Sequence, residues 1–361
     1  MESQKKDIRA LSKQELRDFF TAAGDRAFRG DQVYQWLWQK GVHNFEGMSN
    51  LSKHTRALLE EKFCINHIAI DQQQRSTDGT IKNAIRLHDD KIVESVLIPT
   101  KTRTTACVSS QVGCSLDCTF CATARLKRMR NLNPDEIFDQ VYTIDQQSRL
   151  YYQRPLSNIV FMGMGEPLMN YKNVLSAIDK ITAPSGLGMS PRRITLSTSG
   201  LPKLIKKMAD DEVQFNLAVS LHTAIQATRE QIMPFAEKFP LEDLLASLKY
   251  WFEKTGKRMT YEYVVWKGIN DNIEHIRALV NFCRQVPSKV NLIEYNAIGD
   301  DDFKQADPEI IDQYIEYLTA AHITATIRRS RGKDIDAACG QLANKIKKTL
   351  DESVSLNNES R

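Results

Sequence analysis

The chain has 361 residues, of which 42% are hydrophobic and 26% are charged, and this ordinary composition excludes a collagen, a coiled coil or a globally disordered protein. The length suits one large α/β domain of roughly 250 residues with an accessory region of about 100, and the net charge of +4 excludes a polycation. Because the N-terminus is polar and no apolar run approaches the about 18 residues of a membrane span, we expect a soluble cytoplasmic protein without a signal peptide.

Residues 1–65 predict a small helical accessory domain that binds RNA. Ser12 and Glu15 have the spacing of a capping box, which marks the start of a helix. The apolar residues that follow share one helical face: Leu16, Phe19, Phe20 and Ala23. Trp36 and Trp38 lie on the next predicted helix, where they either contact RNA or belong to the core.

The rest of the chain divides into three further parts. Residues 66–100 predict a β-extension or linker, with short strands at Ala84–Leu87 and Ile92–Ile98. In residues 101–345 strand and helix patterns alternate, which is typical of a parallel sheet covered by helices. The strands predicted there are Thr104–Ser109, Asn158–Gly163, Arg193–Thr198, Phe215–Ser220, Met259–Val265, Val290–Tyr295 and Ile323–Arg328. Periodicity leaves open whether this sheet closes into a barrel, and a polar tail is expected over 346–361.

The seven cysteines include three that fall within eight residues. An odd number of cysteines in a chain without a secretion signal argues against a disulfide framework. Cys114, Cys118 and Cys121 form a C-x3-C-x2-C motif, which can hold three irons of a cubane cluster and leave the fourth iron open. A structural zinc site normally needs four protein ligands, and the next histidine is only His222. The motif therefore favours a 4Fe–4S cluster over a zinc knuckle.

The cysteine motif has an aromatic residue before its last cysteine and follows the first strand of the β/α array, and in both respects it resembles the radical SAM superfamily. The resemblance implies a partial (β/α)6-type barrel of the α/β class. It also implies that the open iron binds S-adenosylmethionine (SAM) and that the reduced cluster cleaves SAM to a 5′-deoxyadenosyl radical. The Phe161–Pro167 stretch supports the resemblance, because its two glycines and carboxylate suit the close approach of an ammonium group.

A set of residues at the C-terminal ends of the predicted strands is expected to bind SAM. This set consists of Gly165, Glu166, Ser197, Ser220, Leu221, His222 and Asn296. Each of them alone is more often a satisfied turn residue than a ligand. Their joint placement on the face where β/α folds bind substrates favours the binding role.

A longer series of motifs resembles the RlmN/Cfr family of RNA adenosine methyltransferases, over roughly residues 10–345. The motifs occur in the order Thr105–Cys114, Gly163–Pro167, Ser190–Gly200, Ser220–His222 and Asp334–Leu342. The resemblance implies methylation of an adenine ring carbon in RNA, which is carbon 2 for RlmN and carbon 8 for Cfr. The Gly-Glu-Pro-Leu stretch at 165–168 looks more like RlmN, whose implied targets are adenosine 2503 of 23S rRNA and adenosine 37 of tRNA.

The chemistry explains the need for a radical. Adenine carbon 2 lies between two ring nitrogens and is too electron-poor to attack a methyl sulfonium, whereas a carbon radical can add to it.

The resemblance makes Cys339 the methyl carrier, which one SAM methylates and a second SAM activates. The basic run 328–333 favours the nucleophilic thiolate of Cys339. Cys107 matches the thiol that releases the product through a transient disulfide with Cys339, and Glu94 matches the proton acceptor. Cys283 instead completes an apolar helical stripe and is predicted to be a core residue.

Four basic residues directly follow the cysteine motif: Arg125, Lys127, Arg128 and Arg130. They predict phosphate contacts around an extruded base, or else a solvated charged loop. The partners implied by the resemblance are 23S rRNA, tRNA and a reducing, flavodoxin-like electron donor, and we expect a monomer.

Two alternatives stay open. One is Cfr-type methylation at carbon 8 of the same rRNA adenosine. The other is a non-catalytic iron–sulfur or zinc protein that binds RNA. It would account for the triplet and the basic loop but would leave Cys107, Cys339 and the glycine-rich motif without a purpose.

Overall fold

The computed structural model of the chain describes residues 5–299 and 303–343. Ten α-helices and fourteen strands lie in these two ranges. Among the described helices, none combines the length and apolar character that crossing a membrane requires. The polar tail predicted over 346–361 lies outside the described residues.

Several helices begin after a capping residue or at a proline. The helices are α1 (Lys13–Ala22), α2 (Phe28–Trp38), α3 (Lys53–Lys62), α4 (Pro134–Tyr152), α5 (Tyr171–Thr182), α6 (Pro202–Asp210), α7 (Gln226–Ile232), α8 (Leu241–Thr255), α9 (Ile273–Arg284) and α10 (Pro308–Ala320). The capping box predicted at α1 is confirmed, because the Ser12 hydroxyl accepts from the Glu15 N–H and the Glu15 carboxylate accepts from the Ser12 N–H.

The strands include all seven that the sequence predicts after residue 101, with ends shifted by at most two residues. They are β1 (Lys6–Asp7), β2 (Phe63–Cys64), β3 (Ala69–Arg75), β4 (Ile81–Arg86), β5 (Ile92–Pro99), β6 (Thr104–Cys107), β7 (Gln111–Val112), β8 (Arg130–Asn131), β9 (Asn158–Phe161), β10 (Ile194–Thr198), β11 (Asn216–Ser220), β12 (Met259–Val264), β13 (Ser288–Ile293) and β14 (Thr324–Arg328).

Ten of these strands form one sheet in the order β14-β13-β12-β11-β10-β9-β6-β5-β4-β3. The pairs from β6 to β14 are parallel and those from β3 to β6 are antiparallel. Since β3 and β14 do not pair with each other, the sheet is open in the described residues. The α/β class and the partial barrel are thus confirmed, with β14 as a seventh parallel strand.

The region 66–100 is an integral part of this sheet, because β3, β4 and β5 continue it as antiparallel strands. The sequence pattern does not reveal β3, which is a polar and mostly exposed edge strand. A polar edge is typical of strands whose outer side is unpaired.

The N-terminal helices pack against α4. Arg9 is buried between Asp139, at 2.7 Å, and Asp135, at 3.2 Å, so two carboxylates offset the cost of burying its charge. The fully buried Trp38 stacks edge-on against Phe138 with ring centroids 5.1 Å apart, which makes it a core residue. The domain boundaries at residues 65, 100 and 345 stay predictions.

Candidate active site

The C-terminal ends of the parallel strands surround a cavity of about 170 Å³, which we call the upper cavity. Such ends meet at one edge of a sheet, so residues distant in sequence converge there. The predicted site residues that line it are Cys114, Cys118, Cys121, Gly165, Glu166, Ser197, Ser220, His222, Asn296 and Cys339. The structure therefore brings the cysteine triplet, most of the expected SAM ligands and the expected methyl carrier into one place.

The cysteine triplet lies on the loop between β7 and β8. The Cys114 N–H donates to the Leu126 carbonyl at 3.3 Å, and the Cys121 N–H donates to the Cys118 carbonyl at 3.2 Å. Burial raises the pKa of Cys114 to about 11, and burial and the other two thiols raise the pKa of Cys118. Buried thiols of this kind ionise readily only beside a cation, which suits a bound metal centre.

The spacing of the sulfurs favours a cluster over a single ion. In the part of the chain that the structure describes, only His88, Asp89 and Glu136 bring three metal-ligand atoms within 4.8 Å of one another. The three sulfurs of the triplet are thus more widely spread than the ligands of one zinc ion, which all lie about 2.3 Å from the metal. A cubane of several irons accommodates that wider spacing.

The Gly-Met-Gly-Glu turn after β9 depends on a glycine. Gly165 has a φ of +94°, and a Cβ there would lie 2.5 Å from the side chain of Gln111. The next N–H, that of Glu166, donates to Gln111 Oε1 at 2.9 Å, and the Glu166 carboxylate accepts from the N–H groups of Leu168 at 3.1 Å and Ser199 at 2.8 Å. Burial raises the pKa of Glu166, so a cationic group in the cavity is the ligand that matches this carboxylate.

Asn296 carries a buried polar atom that needs a partner. Its Nδ2 donates to the carbonyl oxygens of Glu294 at 3.2 Å and Cys339 at 3.4 Å. Its Oδ1 is buried and finds no hydrogen-bond donor among the described residues. Because such an atom costs stability when unpaired, it indicates a ligand that donates a hydrogen bond here.

Leu221 differs from the other expected SAM ligands. Its side chain is fully buried in the core, and it is not among the described residues that line the upper cavity. Its neighbours Ser220, the last residue of β11, and His222, which has a φ of +59°, do line the cavity. The Leu221 carbonyl accepts a hydrogen bond from the guanidinium of Arg229.

His222 forms an aromatic wall with Phe120, the residue before the last cysteine of the triplet, and Trp266. Their ring centroids lie 4.8 Å and 5.7 Å from that of His222. Burial, with the nearby Arg229, lowers the pKa of His222 to about 3, so the ring is neutral at physiological pH. Nδ1 accepts from the Val264 N–H at 3.2 Å, which leaves the ring proton on Nε2 as a donor.

Cys107 and Cys339 are neighbours below the upper cavity. Both line a second cavity of about 440 Å³, which we call the lower cavity. Burial and the neighbouring Cys339 raise the pKa of Cys107 to about 12. Arg328, at the end of β14, lines both cavities, and its pKa is raised chiefly by the Cys339 sulfur beside it. All seven cysteines are free thiols.

Glu94 contacts the carrier segment, by which we mean residues 333–343 around Cys339. Its Oε2 accepts from the Ala343 N–H at 2.8 Å, and its Oε1 lies 3.6 Å from Nζ of Lys82. Glu94 is fully buried and is not among the described residues that line the upper cavity. The structure thus places this carboxylate at the C-terminal end of the carrier segment. Its role as proton acceptor stays a prediction.

The basic residues lie on a hairpin closed by the antiparallel pair β7 and β8. Arg125, Lys127 and Arg128 are exposed. Arg130 differs from the expectation, because its guanidinium binds Asp89 at 2.7–2.8 Å and Glu136 at 2.7 Å. With two carboxylates already bound to it, Arg130 holds the hairpin on the barrel and is not available to a phosphate.

Comparison with known proteins identifies the family. Residues 6–65 match the family described as the ribosomal RNA large subunit methyltransferase N-terminal domain, and residues 108–283 match the radical SAM superfamily. The chain is 69% identical over 345 residues to a probable dual-specificity RNA methyltransferase RlmN of Flavobacterium psychrophilum, covering 96% of this chain and 99% of the relative. The chain belongs to the RlmN family.

More distant RlmN relatives agree with this membership. The dual-specificity RNA methyltransferase RlmN of Nitratidesulfovibrio vulgaris is 44% identical, covering 93% of this chain and 94% of the relative. A crystal structure of a radical SAM methyltransferase from Sphaerobacter thermophilus superposes with a TM-score of 0.88 at 36% identity, covering 93% of this chain and 99% of that chain. This RlmN-family chain is therefore an enzyme, a radical SAM RNA methyltransferase.

The cofactors of the RlmN family are a 4Fe–4S cluster and SAM, and the residues of the upper cavity fit both. Three half-buried thiols with wide spacing suit the cluster. The buried Glu166 and the unpaired Oδ1 of Asn296 suit an ammonium and other hydrogen-bond donors of SAM.

Sequence reasoning missed two residues that build this RlmN-family site. Gln111 supports the Gly165 turn, although its motif was part of the resemblance. Arg229 is fully buried and donates to the carbonyl oxygens of Ser199, Ser220 and Leu221. Because arginines on helices usually face solvent, no local signal distinguishes one that holds strand ends together from inside.

Proposed function

We propose that this enzyme methylates carbon 2 of adenosine in 23S rRNA, at adenosine 2503, and in tRNA, at adenosine 37. In this proposal the methyl group travels on Cys339 and two SAM molecules are consumed. The observation that carries it is the position of Cys339, which shares the upper cavity with the cysteine triplet and the lower cavity with Cys107. A thiol that borders both a cofactor site and a second thiol suits a carrier that is loaded on one side and released on the other.

When bound, the cluster and SAM supply the methyl group and the radical that activates it. The chain's own residues hold the carrier in place. Backbone contacts fix the segment, since the Ala122 N–H donates to the Gly340 carbonyl at 2.7 Å and Thr123 Oγ1 donates to the Leu342 carbonyl at 2.6 Å. These contacts tie the carrier segment to the loop of the cysteine triplet, so the sulfur of Cys339 keeps its place beside the cofactor site.

Release of the methylated base needs a second thiol. Cys107 would form a disulfide with Cys339, which breaks the bond between the Cys339 sulfur and the carbon that stays on adenine. The guanidinium of Arg328 lies beside both sulfurs and would stabilise negative charge on either one. A thiol buried in this way lies close to its neighbour and is poorly accessible to large partners.

We retain Glu94 as the proposed acceptor of the ring proton. Its carboxylate holds the Ala343 N–H and pairs with Lys82, so proton transfer requires the carrier segment to shift when the RNA is attached. Glu94 is then coupled to the state of Cys339 through the segment that both contact.

The RNA side of the proposal rests on the basic hairpin. Arg125, Lys127 and Arg128 are exposed beside the loop that lines the upper cavity, where they would contact phosphates around an extruded adenosine. Such a base is most accessible in a loop of the RNA. The proposal further includes a monomeric enzyme in the cytoplasm, where these RNAs are found, and a flavodoxin-like protein as electron donor.

Mass spectrometry of nucleosides from RNA treated with the reconstituted enzyme tests this proposal. We expect 2-methyladenosine from the wild type and from Cys283→Ala, which changes only a core thiol, and none from Cys339→Ala. Finding 8-methyladenosine instead would establish the Cfr-type alternative. RNA binding without SAM cleavage or any methylated nucleoside would establish the non-catalytic alternative.

A further inference from the structure

The lower cavity lies at the opposite end of the barrel from the cofactor site. Its walls include residues near the starts of parallel strands, such as Thr105, Asn158, Thr195 and Thr260. The upper cavity is lined by residues at the ends of the same strands. The lower cavity therefore offers an approach from the strand starts to the two cysteines, and the proposed function assigns no ligand to it.

The lower cavity is strongly basic. Among the described residues that line it are four arginines, namely Arg103, Arg328, Arg329 and Arg331, and one carboxylate, that of Glu262. Glu262 is already paired with Arg328 at 3.4 Å. Arg103, Arg329 and Arg331 are exposed, and Arg331 also pairs with Asp78 at 3.9 Å. The net positive charge of these three side chains faces any molecule that enters. Charge of one sign along the walls of a cleft attracts ligands of the opposite sign.

The two sulfurs face the cavities differently. Cys339 lines both, whereas Cys107 lines the lower cavity and is not among the described residues around the upper one. If the proposed function holds, each turnover leaves these two cysteines as a disulfide that must be reduced before Cys339 can be methylated again. The sulfur of Cys107 is then open to attack only from the lower cavity.

We propose that the lower cavity admits an anionic, low-molecular-weight thiol that reduces the Cys107–Cys339 disulfide at the end of each catalytic cycle. This inference rests on the proposed function and adds a binding site and a ligand class to it. The cavity volume of about 440 Å³ lies within the roughly 300–1,000 Å³ of small-molecule pockets. Cys107 is only 7% exposed, which favours a small reductant over a cysteine on the surface of a folded protein.

The reduction consumes two thiols. The first thiolate attacks the Cys107 sulfur, forms a mixed disulfide and releases Cys339 as a thiolate, which takes up a proton. The second thiolate attacks the sulfur of the bound small thiol, which releases Cys107 and an oxidised small-molecule disulfide. Two electrons pass from the two small thiols to the two cysteines. This direction of attack agrees with the geometry, because Cys107 lines the cavity that the thiol enters.

The experiment starts from holoenzyme after a single turnover on RNA, with the Cys107–Cys339 disulfide verified by peptide mapping. Its reduction is then timed with three thiols of similar size: mercaptoethanesulfonate, mercaptoethanol and cysteamine, which are anionic, neutral and cationic. Rates are divided by the thiolate concentration of each reagent. We expect mercaptoethanesulfonate to react about tenfold faster than cysteamine, with the preference shrinking as salt is added.

Substitutions test whether the arginines of the lower cavity cause the preference for the anionic thiol. The double substitution Arg103→Gln and Arg331→Gln should reduce the charge preference to about twofold or less, and the control Arg284→Gln on α9 should leave it unchanged. Equal rates for all three thiols, or reduction only by a protein dithiol, would overturn the inference while leaving the proposed function intact. Absence of the disulfide after turnover would instead overturn the proposed function, and the inference with it.

Discussion

The cysteine triplet and the Cys107–Cys339 pair occupy adjoining parts of the barrel but arise in opposite ways. Cys114, Cys118 and Cys121 lie within eight residues on one loop. The other two thiols are 232 positions apart, from 107 to 339. In the sheet, five strands separate β6, which carries Cys107, from β14, which precedes Cys339.

This difference has a physical origin. The triplet is positioned by its own hairpin, in which Gly113 has a φ of +75° and a Cβ there would lie 2.6 Å from the Lys127 carbonyl oxygen. The pair forms only because the open sheet curves far enough to bring the segment after β14 back to β6. A local change should therefore affect the triplet, whereas the pair depends on the whole barrel.

The largest expected effect tests the triplet. Anaerobically purified enzyme should be brown and hold about four irons, as one cubane requires. Replacing Cys118 with Ala should abolish the colour and all SAM cleavage, because an iron loses its thiolate, while Cys283→Ala should retain both. Iron analysis and absorption spectroscopy provide the measurement, and a colourless wild type that holds one zinc would contradict it.

Substitutions of the two cysteines of the pair should block turnover at different steps. Cys339→Ala cannot accept the methyl group, so it should give neither product nor adduct. Cys107→Ala should still be methylated and add to the RNA, and should then stall because no thiol remains to form the disulfide. A denaturing gel should show an RNA-linked band for Cys107→Ala that ribonuclease shortens. Full activity of Cys107→Ala would mean that Cys107 is only a core thiol.

Two substitutions of Glu94 distinguish a role in proton transfer from a role in supporting the carrier segment. In Glu94→Gln the amide oxygen can still accept from the Ala343 N–H, whereas Glu94→Ala removes that contact. If Glu94 accepts the ring proton, both variants should lower turnover about 100-fold, and Glu94→Gln should accumulate methylated Cys339 or its RNA adduct. Near-normal turnover of Glu94→Gln with a defective Glu94→Ala would mean that the residue only positions the segment. Peptide mapping and single-turnover rates distinguish the two results.

The smallest expected effects are those of substituting two arginines of the basic hairpin, which should differ in their consequences for stability and RNA binding. Arg130→Gln breaks the pairs with Asp89 and the buried Glu136 and should cost about 2 kcal/mol of unfolding free energy. Arg125→Gln should change stability by less than about 0.5 kcal/mol but lower the slope of log affinity against log salt by about 0.7 for a single-stranded target. Thermal unfolding and RNA binding at several salt concentrations test the contrast, and equal stability losses would contradict it.

Patterns of short range account for most of what sequence reasoning predicted. The seven strands after residue 101 follow from apolar runs between turn residues, and the start of α1 follows from the capping box of Ser12 and Glu15. The sequence pattern does not predict the polar edge strand β3, because its place in the sheet depends on pairing with β4 and not on its own residues. The burial of Leu221 and the carboxylate partners of Arg130 cannot be read from neighbouring residues in the chain.

The sequence by itself determined the cysteine motif, the order of strands and helices and the family resemblance, since each depends on residues close together in the chain. Only the tertiary structure decided that Cys339 borders both cavities while Cys107 borders the lower one, and that Glu94 holds the carrier segment. It also decided that Arg229 is buried beneath the strand ends. These relations arise from the curvature of the sheet and the packing of distant elements, which local periodicity does not encode.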